Sequence, residues 1–139
     1  MSDDLRAHVT NYLAKGGSPF VHDLGLVVTH AEPGEVTFKL SVTPRLVHAG
    51  GVLCGQAIMA GFDTGMLFVM ASLFNGDERM FTTVTLNSVF ERGVPADVGE
   101  VTFHAWATKP GRSLVFGQID CHLPTGQRAA TATTTYMWL

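Results

Sequence analysis

The chain has 139 residues, of which 46% are hydrophobic and only 15% charged, a balance that excludes disorder and fits one domain. Nine Lys and Arg stand against twelve Asp and Glu, for a formal net charge of −3. With no basic run or stripe, a nucleic-acid partner is excluded, and so little charge implies apolar surface covered by another copy.

Met1-Ser2-Asp3-Asp4 is acidic where a secretory signal is basic, so a cytoplasmic protein is expected. Ser2 or Asp3 can cap a helix over about residues 3–15, with Leu5, Val9, Tyr12 and Leu13 on one apolar face. Gly16-Gly17-Ser18-Pro19 stops it, and the segment to Gly25 has room for one helical turn. Leu26–Ala31 and Glu35–Thr43 read as strands joined by a turn at Pro33-Gly34. Val36, Phe38, Leu40 and Val42 alternate with polar residues, so the second strand buries one face. Beyond a loop through His48-Ala49-Gly50-Gly51, a long helix is predicted over about residues 55–73. Four strands then follow, at about Phe81–Glu91, Glu100–Thr108, Ser113–His122 and Arg128–Trp138. Their tight turns make them antiparallel, giving one α+β domain over 1–139: a six-stranded antiparallel sheet with one long helix.

Cys54 and Cys121 have no CxxC or Cys/His metal spacing, and no metal or cofactor is expected. They allow one disulfide, but two free thiols are the simpler reading. Cys54, at the helix start without a base partner, reads as packing rather than as a nucleophile.

The long helix is the most informative stretch. Val52–Phe74 is apolar enough to pose a membrane span, but Asp63 sits in its middle, and Gly55, Gly61 and Gly65 suit close backbone packing. A helix apolar all round is better buried under a curled sheet, with a neighbour covering the rest. Asp63 is then the anomaly. Either a local hydroxyl such as that of Thr64 satisfies it, or it is an acid, base or nucleophile; Gln56, seven residues earlier on the same face, adds weight to function. At the helix start the N–H groups of Gly55 and Gln56 are free to meet an oxyanion. Gly55 and Asp63 are eight residues apart, roughly 12 Å along a helix, too far for one reacting carbon to touch both. If both serve one reaction, two copies must lie antiparallel across a two-fold axis, giving a dimer with two interfacial sites.

This order of elements resembles the hotdog fold, and within it the PaaI-type acyl-CoA thioesterases. The likeness lies in the run from Val47-His48-Ala49-Gly50-Gly51 through Cys54-Gly55-Gln56 to Gly61-Phe62-Asp63-Thr64-Gly65, in Thr82-Thr83-Val84-Thr85-Leu86-Asn87-Ser88-Val89-Phe90, and in Arg92-Gly93-Val94-Pro95. Cys54-Gly55-Gln56 stands where the family usually has His-Gly-Gly, but the acid keeps its spacing from the first glycine. The resemblance implies Asp63 as the catalytic carboxylate, nucleophile or general base, and Gly55 N–H as the donor to the thioester oxygen. It further implies that His48 holds the carbonyl or water and that the Thr83 hydroxyl positions water. Gln56, Asn87, Arg92 and Lys109 are the substrate-binding candidates, the last two for the phosphates of coenzyme A. His22, His30, His104 and His122 read as structural or surface residues. Two rival readings stay open: a hotdog enoyl-CoA hydratase pairing His48 with Asp63, and a non-catalytic acyl-CoA binder. A homodimer is expected, with a dimer of dimers as the larger alternative.

Overall fold

A computed structural model describes residues 2–139, Ser2 by its backbone alone, so the cap expected of Ser2 lies outside the described side chains. Helix α1 (Ser2–Gly16) turns Val9 and Leu13 into the core. A single turn, α2 (Pro19–Asp23), follows; the Ser18 hydroxyl caps it by accepting from the Val21 amide at 3.3 Å, with Pro19 at the first helical position. The strands are β1 (Val27–Glu32), β2 (Glu35–Ser41), β3 (Phe81–Phe90), β4 (Glu100–Pro110), β5 (Leu114–His122) and β6 (Arg128–Trp138). They form one six-stranded sheet in the order β1-β2-β4-β5-β6-β3, every pair antiparallel. Helix α3 (Gly55–Ser72) lies along its inner face, against β4, β2, β5, β3 and β6. This is the α+β hotdog arrangement, with α1 as the extra helix.

Alternation along the strands builds the core. Val36, Phe38 and Leu40 of β2, Val101, Phe103 and Ala105 of β4, and Val115, Ile119 and Cys121 of β5 all point inward and are buried. Phe38 stacks on Phe103 with ring centroids 5.0 Å apart, and α3 must approach these rings closely. A Cβ at Gly61 would lie 2.5 Å from the Phe103 ring, and one at Gly65 would lie 2.9 Å from that of Phe38. The glycines expected to receive another backbone therefore receive aromatic rings of their own sheet. They are set by intrachain packing, not by a neighbouring helix.

The sheet does not cover α3 completely. Twelve of its eighteen residues are buried, while Gln56, Met59, Ala60, Asp63 and Leu67 form a stripe that is half-buried or exposed. The edge strand β3 is open in the same way: none of its ten residues is buried, and Val84, Val89 and Phe90 stand in solvent. Among the described residues, no helix is long and apolar enough to cross a membrane.

The loop after β2 is more structured than its glycines imply. Pro44–Leu46 forms a 3-10 turn, and isolated bridges join Val47 to Leu53 and Val52 to Pro95, fixing the start of α3. Strand β2 ends at Ser41 rather than Thr43, although the Val42 amide still bonds the Gly99 carbonyl at 2.8 Å, one step further along the β2–β4 register. Strand β4 runs past Thr108 to Pro110 across an irregularity between Ala107 and Lys109.

Gly61→Ala adds overpacking against Phe103 of about 1–3 kcal/mol, more than the ~1 kcal/mol that alanine gains in a helix. Its denaturation midpoint should fall below that of the parent. Both cysteines are free, and burial pushes the Cys121 thiol from 9.0 up to about 12. The folded protein keeps that proton longer than the unfolded chain does. Its contribution is therefore complete below pH 9.0 and is lost as the pH rises toward about 12. Denaturant midpoints measured across that range should fall, and Cys121→Ala should flatten the slope.

Candidate active site

The N-terminus of α3 is open. Cys54 is its N-cap residue and makes no side-chain cap bond. The first recorded helical donors are Ala57 and Ile58, both to the Cys54 carbonyl, so the Gly55 and Gln56 amides have no partner among the described residues. Both amides sit at the positive end of the helix dipole. Beside them is a surface hollow of about 300 Å³, lined by Val52, Leu53, Gly55, Ile58, Phe90 and Arg92 among others. The Phe90 ring lies 3.5 Å from where a Gly55 Cβ would stand.

Asp63 lies two turns further along the uncovered stripe. Its partner is not the neighbouring Thr64, which is buried on another face of the helix. Two strands supply the donors instead. Thr83 Oγ1 of β3 donates to Asp63 Oδ1 at 2.9 Å, and the Tyr136 hydroxyl of β6 donates to the same oxygen. The Tyr136 hydroxyl also lies 2.8 Å from the Asp63 backbone carbonyl. Thr83 and Tyr136 face each other in the β3–β6 register, so two adjacent strands present their hydroxyls to one carboxylate. Among the described residues, Oδ2 has no hydrogen-bond partner.

A β-bulge makes this possible. The β3–β6 register slips between Thr83 and Thr85, leaving Val84 as the extra residue. Thr134 Oγ1 holds the bulge by donating to the Thr85 carbonyl at 2.8 Å. Before the slip, Phe81 and Thr83 face α3; after it, Leu86, Ser88 and Phe90 do. Asn87 is thereby turned to the outer, solvent face, and the structure does not bring it to Asp63 of its own chain. Ser88 Oγ, on the inner face, is a buried polar atom without a partner.

The other candidates are spread over the molecule. His48 is exposed in its loop, where Nδ1 accepts the Gly50 amide at 2.8 Å, and it makes no bond to Asp63. Gln56 is exposed on the open stripe of α3, in line with Asp63. Arg92, beside the hollow, donates from Nε to the Arg128 carbonyl at 2.9 Å. Lys109 is exposed near the far end of β4, with β5 and β6 between it and β3. His22, His30 and His104 bond to the Leu13 carbonyl, Glu32 and Glu35. Among the described residues, no three His, Cys, Asp or Glu side chains cluster as a metal site.

Tyr136 is the site residue that sequence reasoning missed. It is the last buried position in the alternation Ala132, Thr134, Tyr136 along β6. A buried tyrosine needs an acceptor for its hydroxyl, and Asp63 was the polar group on the helix packed against it. Burial first, then the Asp63 charge and the bond to it, push this hydroxyl above the usual phenol range, so it remains a donor.

Comparison with known proteins gives this arrangement its family. The family model of the Thioesterase superfamily matches residues 50–130, a span that contains Gly55, Asp63 and Thr83. A thioesterase family protein from Silicibacter pomeroyi is 25% identical, with a TM-score of 0.84 over 97% of this chain and 98% of that one. The Escherichia coli PaaI protein from the phenylacetic acid degradation operon is 14% identical, with a TM-score of 0.83 over 97% of this chain and 96% of that one. A thioesterase from Haemophilus influenzae is 20% identical, with a TM-score of 0.79 over 94% of this chain and 90% of that one. No curated protein sequence matches the chain. The chain belongs to the Thioesterase superfamily and is a thioester hydrolase of hotdog fold.

Proposed function

We propose that the protein hydrolyses acyl-CoA thioesters at sites shared by two copies of the chain. The observation that carries this reading is the open stripe of α3, with unbonded amides at one end and a hydrogen-bonded carboxylate roughly 12 Å along. The Gly55 N–H of one copy stabilises the negative charge that develops on the thioester oxygen. Asp63 of the other copy either takes a proton from water, which adds to the carbonyl carbon, or adds to that carbon itself and is freed by water. In both cases the C–S bond breaks and the acid and a thiol leave. A thiol with a pKa near 8.5 departs without a strong general acid, which suits a site this poor in titratable groups.

The remaining candidates have supporting roles in this reading. A His48 ring whose Nδ1 accepts from Gly50 carries its proton on Nε2, ready to donate to the carbonyl or to water. Gln56 flanks the site on the open stripe, and Arg92 and Lys109 serve the phosphates of coenzyme A. The hollow beside Gly55, walled by apolar side chains and by Glu91 and Arg92, accommodates the acyl chain or its pantetheine arm. An unburied edge strand supports completion by a second copy.

Free-thiol release over short, long and aromatic acyl-CoAs tests the activity. Asp63→Asn should lower kcat by about 10²–10⁴-fold while leaving acyl-CoA binding in place. Binding without turnover by the unmodified protein would make it an acyl-CoA binder instead.

The two-fold arrangement has its own test. Helices that set residue 55 against residue 63 cross at residue 59, so Met59, 38% exposed in one chain, meets its own counterpart. Met59→Glu places two like charges there; light scattering should report a monomer, and activity should go with the dimer. A monomer with undiminished activity would end the shared-site reading.

A further inference from the structure

We infer that Tyr136 is a positioning residue for hydrolysis: together with Thr83 it captures one oxygen of Asp63 and leaves the other, Oδ2, as the oxygen that faces substrate or water. This rests on the hydrolytic reading above and adds to it a residue and an atom assignment.

The geometry is one-sided. Tyr136 is 3% exposed and belongs to the sheet, and Thr83 stands opposite it on the next strand. Both hydroxyls reach Asp63 from the sheet side and converge on Oδ1. The Tyr136 hydroxyl also lies within hydrogen-bond distance of the Asp63 main-chain carbonyl, at 2.8 Å, so one group spans the side chain and backbone of the same residue. That arrangement fixes the turn of the carboxylate about the Cα–Cβ and Cβ–Cγ bonds. Asp63 itself is only half-buried and lies on the open stripe. Among the described residues, the buried side-chain oxygen left without a partner is Ser88 Oγ, so the unpartnered Oδ2 is not sealed inside the sheet.

A tyrosine present only to fill the core would need one acceptor, and nothing in that need would bring a second donor, Thr83, to the same carboxylate oxygen. A base or nucleophile, by contrast, gains from a single fixed lone-pair direction, because misalignment of the reacting atoms costs rate steeply. The bulge at Val84 serves the same end. It keeps Thr83 on the inner face while the rest of β3 changes phase.

Tyr136→Phe removes the hydroxyl and keeps the ring, whose centroid lies 5.8 Å from that of Phe81. The expected result is a kcat about 10- to 100-fold lower with KM unchanged, the scale of one lost hydrogen bond to a charged group. A displaced carboxyl ¹³C resonance for Asp63 should accompany it, in protein that stays folded by circular dichroism. Parental kcat in Tyr136→Phe, or equal losses in kcat and in substrate binding, overturns the positioning role and leaves the hydrolytic reading intact. An unmodified protein that releases no thiol from any acyl-CoA overturns the hydrolytic reading instead. The Asp63 resonance then decides separately whether Tyr136 holds the carboxylate: an unmoved resonance overturns that too. Should Tyr136→Phe fail to fold, Thr83→Val removes the other donor to Oδ1 and is judged by the same kinetic and NMR criteria.

Discussion

A carboxylate on a helix this apolar has to be given donors by whatever packs against it, and that requirement organises one half of the molecule. Asp63 takes its donors from β3 and β6, which are adjacent in space although 37 residues of chain lie between the end of β3 at Phe90 and the start of β6 at Arg128. The strand that follows α3 must therefore bypass β4 and β5 and pair with the last strand, so that Thr83 and Tyr136 stand side by side. The bulge beside Thr83 is a consequence of the same demand. An unbroken alternation from Phe81 would turn Thr85, Asn87 and Val89 toward α3; the slip sends Leu86, Ser88 and Phe90 there instead.

The other half of the molecule obeys a simpler rule. Where no polar group interrupts it, α3 presses onto Phe38 and Phe103, and glycine at 61 and 65 is what lets a helix lie that close to stacked rings. The tight packing is on the side away from the open stripe. The result is a helix firmly seated on one face and unfinished on the other, where Gln56, Met59, Asp63 and Leu67 lie. The same lack of cover along β3 places both unfinished surfaces next to one another.

Most of the architecture was legible in the sequence because it is written in short periods. The alternation Val36, Phe38, Leu40 and the punctuation at Pro33-Gly34, Pro110-Gly111 and Pro124-Thr125-Gly126 mark strands and turns without reference to anything distant. Asp63 and Gly55 were legible for a similar reason, since a lone acid and a helix start are anomalies visible within one segment. What could not be read was any property that depends on register. Asn87 reads as an inward residue only if β3 is regular, and the slip at Val84 turns it outward. Tyr136 lies 73 residues from Asp63, and no local pattern links them. Gly61 and Gly65 were read correctly as sites of close approach, but what approaches is an aromatic ring of β4 or β2 rather than another backbone.

The chemistry asked of such a site explains how little machinery it needs. A thioester has an electrophilic carbonyl and a leaving group that departs as a weak base, so the protein must supply one hydrogen-bond donor for the oxygen and one oriented carboxylate. A single helix carries both, the donor in its unsatisfied first turn and the carboxylate two turns on. Their spacing, roughly 12 Å, keeps one chain from using both on the same carbon. In the proposed two-fold pairing that defect becomes two complete sites, because antiparallel helices would set the start of each against the middle of the other. On this argument the open stripe, the unburied edge strand and the clamp on Asp63 Oδ1 answer one demand. In the proposed dimer each chain would carry half of two sites, and the half this chain builds by itself is the alignment of Asp63 by Thr83 and Tyr136.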